Sequence, residues 1–130
     1  MKLKVLLLIL AACVIAACKT ATAPLSCPHC SQPMGARPPA GDETWCQKMV
    51  DGQPVKDGPF ALYRSGGTLM LEGSYHDGKQ DGEHIGWYTN GKISAMGMYK
   101  NGKREGVWKR WDAQGFKNWE EVYKDDKRIS

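Results

Sequence analysis

From about residue 52 onward the apolar and aromatic residues come in short bursts, each closed by a small polar group that contains glycine. GPFALYR, GEHIGWY and GVWKRWD are followed by SGG, TNG and AQG, then by TLMLEGSY, KISAMGMY and FKNWEEVY. The bursts are rich in aromatic and β-branched residues. They are shorter than the roughly 10 to 12 residues at which a helix becomes the better reading. Asp77-Gly78, Asn90-Gly91 and Asn101-Gly102 stand between bursts. Gly and Asn reach positive φ at low cost, so each dipeptide marks a reversal of direction. The pattern predicts antiparallel strands joined by tight turns.

A shift of 24 residues restores the same residue types: Gly58, Gly82, Gly106; Phe60, His84, Trp108; Tyr63, Trp87, Trp111; Tyr75, Tyr99, Tyr123; Lys79, Lys103, Lys127. One hairpin cannot bury its own apolar face, so successive units must stack and share a core. The expected fold is all-β, an elongated single-layer antiparallel meander of stacked hairpin repeats. Its units start near 58, 82 and 106 within a repeat domain spanning 52–130.

GEHIGWYTNGK followed by YKNGKREG resembles the MORN repeat in its bacterial variant form, over about Gly52 to Ser130. The resemblance implies an extended sheet used as an interaction surface or scaffold. Many bacterial relatives of this type carry an antitoxin label, which adds neutralisation of a partner toxin as a weaker expectation. The ends depart from the pattern: Met49–Gly58 looks like a half repeat, and Glu121 stands where Gly73 and Gly97 stood. Terminal units lack one neighbour and are usually atypical. Asp125-Asp126 in place of Asn101-Gly102 is expected to let the chain stop rather than turn again.

At the other end, Lys2 and Lys4 precede an apolar run from Val5 to Ala17, too short for the roughly 20 residues a spanning helix needs. It matches a secretory leader that ends in small residues. Ile15-Ala16-Ala17-Cys18 resembles the bacterial lipobox, which implies a leader at 1–17 and acylation of Cys18. Residues 18–26 then form a tether, and the membrane is reached through the lipid. In a two-membrane bacterium, Lys19 after the acylated cysteine implies, by the enteric sorting rule, an outer-membrane address facing the periplasm or surface.

Loss of Lys2 and Lys4 with the leader takes the formal charge from +4 to +2. Acids and bases alternate along the repeats with no segregated basic stretch, so nucleic acid is not an expected partner. Cys13 leaves with the leader, and Cys27, Cys30 and Cys46 remain. A disulfide between Cys27 and Cys46 is the preferred reading, closing a loop worth about 3 kcal/mol by chain entropy; Cys30 with Cys46 is the competing pairing. Gly35, Pro38, Pro39 and Gly41 are expected to keep residues 27–51 out of regular structure until the half repeat.

Cys27-Pro28-His29-Cys30 also resembles the active-site pattern of thioredoxin-type disulfide oxidases, with Cys27 as attacking thiolate and Cys30 as resolving thiol. That chemistry needs a helix N-terminus in a βαβ setting, and the prolines and glycines that follow bar one. Zinc would need a second close ligand pair beside Cys27 and Cys30, and Cys46 has no nearby partner. No catalytic residues, metal or small-molecule cofactor are therefore expected. Most rings belong to cross-strand packing, while Tyr88, Arg110 and Trp111 are nominated as surface anchors for a protein or envelope-polymer partner. The expected role is a non-enzymatic interaction module on the envelope, with thiol oxidoreductase as the alternative.

Overall fold

A computed structural model describes residue 27, residues 32–36 and residues 42–130. Among the described residues ten strands form one antiparallel sheet: β1 (Gln32–Ala36), β2 (Glu43–Val50), β3 (Gln53–Tyr63), β4 (Leu69–His76), β5 (Lys79–Gln80), β6 (Gly82–Trp87), β7 (Ile93–Lys100), β8 (Lys103–Trp111), β9 (Lys117–Lys124) and β10 (Lys127–Arg128). Neighbours in the chain are neighbours in the sheet, with β5 paired on β4 just before β6 begins. The result is an elongated, single-layer all-β meander.

Two kinds of turn alternate. Along one edge Asp51-Gly52, Asp77-Gly78, Asn101-Gly102 and Asp125-Asp126 all hold both residues at positive φ, the two-residue turn whose twist matches that of its strands. Along the other edge only the glycine is left-handed, at Gly67, Gly91 and Gly115. There Gly91 N–H donates to the Tyr88 carbonyl at 3.0 Å and Tyr88 N–H to the Lys92 carbonyl at 2.8 Å. Asn90 therefore keeps negative φ. Its side chain instead accepts from Lys92 N–H at 3.0 Å.

Two expectations need correction. Asp125-Asp126 does turn the chain again, bringing Lys127 opposite Lys124 and Arg128 opposite Tyr123. A left-handed aspartate in place of glycine is tolerated because the Asp126 carboxylate accepts from Arg104 N–H at 3.0 Å and from Arg104 Nε at 3.1 Å. Likewise Gly35 does not exclude a strand: β1 pairs with β2 from Gln32↔Gln47 to Ala36↔Glu43. Gly35 sits at φ 78°, and any side chain there would run into the Glu43 carbonyl and the Trp45 ring. Cys27 is bonded to Cys46, which is completely buried on β2.

The core combines Cys46, Ala61 and Tyr63, buried on β2 and β3, with a row of rings on one face. Phe60 pairs with Gly73, His84 with Gly97 and Trp108 with Glu121, while Gly58, Gly82 and Gly106 pair with Tyr75, Tyr99 and Tyr123. Each of these six rings thus has a glycine across its hairpin within the unit, with that one exception. The contacts run Tyr75–Phe60 (4.9 Å between centroids), Phe60–His84 (5.3 Å), His84–Tyr99 (4.6 Å) and Tyr99–Trp108 (5.1 Å). The tyrosines interleave with the other row rather than stacking on one another. Phe60, His84 and Tyr123 are buried as a result.

Candidate functional site

Each unit is stitched to the next by side chains at the repeat period. On the two-residue-turn edge Asp57, Asp81 and Glu105, each directly before a repeat glycine, accept the first amide of the following turn. Asp77 N–H donates to Asp57 at 3.0 Å, Asn101 N–H to Asp81 at 3.1 Å and Asp125 N–H to Glu105 at 3.1 Å. The second turn amide goes to backbone: Gly78 to Lys56, Gly102 to Gln80 and Asp126 to Arg104. The glycines at φ 108°, 105° and 73° make this reach possible, since they carry the irregular register between units. The acid before each glycine was visible in the sequence as DG, DG and EG, although periodicity of rings and glycines alone does not reveal its use.

Asp57 also has cationic partners. Lys48 Nζ lies 3.2 Å from it and 2.5 Å from Asp77, and His76 approaches both carboxylates at 3.4 and 3.3 Å. The Asp77 amide, then Lys48, holds the Asp57 carboxyl below the usual carboxylate range. The cluster fastens β2, β3 and the β4–β5 turn to one another.

On the opposite edge Arg64 donates to the Trp87 carbonyl at 2.6 Å, Tyr88 Oη to the Trp111 carbonyl at 2.8 Å and Asn90 Nδ2 to the Ala113 carbonyl at 2.8 Å. Tyr88 is half-buried and committed to this stitch. Its hydroxyl is therefore spent within the sheet.

Cations sit over rings on the ring face. Lys56 Nζ lies 4.9 Å from the Trp45 ring centroid and 5.2 Å from that of Tyr75, and 2.6 Å from the Glu43 carboxylate. Arg104 lies 3.9 Å over Tyr123 and Arg110 lies 4.8 Å over Trp119. Arg104 is also paired with Asp126. Arg110 is exposed and has no carboxylate partner among the described residues. Its aromatic support holds a guanidinium with its donor edge free, the form in which arginine recognises anions.

The three nominated anchors therefore do not form one patch. Arg110 pairs with Ala95 and Trp119 on the ring face, whereas strand alternation sends Trp111 to the other face. Trp119, which the surface nomination left out, is the residue that supports Arg110. A cross-strand register, unreadable from one strand alone, was needed to find it. On the other face Met98 and Val107 are exposed at 45% and 43%.

Cys18, His29 and Cys30 lie outside the described residues, as do the leader and the tether. Among the described residues no group of three or more His, Cys, Asp or Glu side chains is placed to hold a metal ion. His84 is 4% exposed with Nε2 unpartnered between Phe60 and Tyr99. Burial pushes its pKa down, so near neutral pH it behaves as a packed ring. No family model, no curated protein and no solved structure matches the chain.

Proposed function

We propose that this chain is an envelope lipoprotein of MORN-repeat type, anchored through acylated Cys18, whose repeat sheet is a non-enzymatic surface for binding an acidic partner. The observation that carries the reading is Arg110 stacked on Trp119 with no carboxylate partner among the described residues. Arginine and tryptophan, with tyrosine, are enriched among the residues that dominate binding energy. Charge agrees: residues 100–130 hold nine lysines and arginines against six acids, while residues 42–99 hold five against eight. Because strand order follows chain order, the basic excess lies at the Arg110 end of the sheet.

The Cys27–Cys46 bond supports an oxidising compartment. It also weighs against a thiol oxidoreductase, since the sulfur that would attack a substrate is held by a cysteine that is completely buried. No observation favours the toxin-neutralising reading.

The test combines palmitate labelling with crosslinking in membranes. Wild type should incorporate palmitate and Cys18→Ala should not. Partners crosslinked to wild type and identified by mass spectrometry should be lost or fall about tenfold with Arg110→Ala, the range of a moderate hot spot. Undiminished capture by Arg110→Ala would remove the binding assignment, and unlabelled wild type would remove the anchor.

A further inference from the structure

The units join through a ring that settles on a glycine of the unit before it. At Gly73 any side chain would begin 2.7 Å from the His84 ring, and at Gly97 it would overlap the Trp108 ring. The two positions are slots kept empty of side chain so that the next unit's ring can enter. One repeat further on, the slot is filled. Glu121 accepts from Tyr123 Oη at 2.6 Å and from Arg128 Nη1 at 2.8 Å, and these two donors hold its carboxyl below the usual range.

The strand beside the filled slot is open. β4 and β7 are paired on both sides, through Leu71↔Gly86 and Glu72↔Ile85, and through Ala95↔Arg110 and Met96↔Lys109. Lys127 and Arg128 repeat on β9 the pairing that Lys103 and Arg104 make on β7, and Ile129 N–H donates to the Val122 carbonyl at 2.8 Å. Beyond that point, no described strand pairs with Lys117–Glu121 on the side away from β8. An edge of this kind is a template for another strand.

We infer that Glu121 is a stop residue: by filling the ring slot it closes the open β9 edge to the ring-bearing first strand of a further repeat, whether joined in the same chain or offered by another copy. The closure is steric. Alanine at this position closes the slot as glutamate does, and only glycine opens it.

The experiment extends the full chain. In every version Ile129 and Ser130 become Glu and Gly, restoring the junction found at Glu105-Gly106, and a copy of residues 107–130 follows. The readout is hydrogen exchange of the outward-facing amides of Lys117–Glu121. With Glu121 or Glu121→Ala the added unit stays undocked and these amides exchange as in the unextended chain. With Glu121→Gly the unit docks and exchange slows at least about tenfold, as expected for newly protected strand amides. A second route leaves Glu121 in place and changes Trp108→Gly within the added copy, which also restores protection. Docking of the unaltered copy in the Glu121 or Glu121→Ala chain overturns the proposal. So does failure of the ring-less copy to dock on the Glu121 chain, an arm that holds even if Glu121→Gly does not fold. Neither arm depends on acylation or on Arg110.

Discussion

His84 replaces Phe60 and Trp108 at one repeat position and carries a consequence that the other two rings do not. Burial disfavours its charged form, so its folded pKa lies below the ordinary histidine value. Between those two values the unfolded chain binds more protons than the folded one. Stability is therefore full above about pH 6.5 and falls as pH drops through the folded pKa. Urea midpoints measured from pH 7.5 to pH 5 should decline for wild type. His84→Phe should flatten that decline and raise stability on the order of 1 kcal/mol at pH 7, because a buried, unpartnered nitrogen is removed. An unchanged slope in His84→Phe would place the pH dependence elsewhere, with Asp57 acting at lower pH as its depressed pKa requires.

Among elements, the repeated positions show which contacts belong to every unit and which to one. Lys56 lies over Tyr75 and Arg104 over Tyr123, but the equivalent residue beside Tyr99 is Gln80. The middle unit lacks its cation. Gln80→Arg should place a guanidinium over Tyr99 and stabilise the chain by about 0.5–1 kcal/mol, the usual range for a surface cation–π contact, read as a higher melting temperature. A neutral or lower value would mean that Tyr99, edge-on to both His84 and Trp108, has no ring face left to offer. The acids Asp57, Asp81 and Glu105 show the opposite case, in which each unit supplies the cap for the next unit's turn.

For the molecule as a whole, a single-layer sheet has no second layer to close its core, and stability comes from coupling along the row of rings and from the clip at its first strands. The Cys27–Cys46 bond closes a loop of 19 residues' separation. Reduction should lower unfolding free energy by about 3 kcal/mol, measured as a shift of the urea midpoint with and without reductant. Tryptophan fluorescence and far-ultraviolet dichroism should remain coincident in the oxidised chain, since Phe60, His84 and Trp108 lie in successive units that share contacts. An unmoved midpoint on reduction would show that β1 and β2 are held by pairing alone.

The 24-residue recurrence determined the strands of the three repeats, most of their turns and their order in the sheet, because hairpin signals are local: a glycine or asparagine that takes positive φ and a few alternating residues suffice. It did not reveal that Asp125-Asp126 turns, since the stabilising group is Arg104, 22 residues away. Nor did it show that β1 joins the sheet despite Gly35. Only the register of neighbouring strands decided that Arg110 rests on Trp119 while Trp111 faces the other way, and that Glu121 occupies a slot left open in the two units before it. Contacts across strands depend on which residues come opposite each other, and that pairing is a property of the assembled sheet rather than of any segment within it.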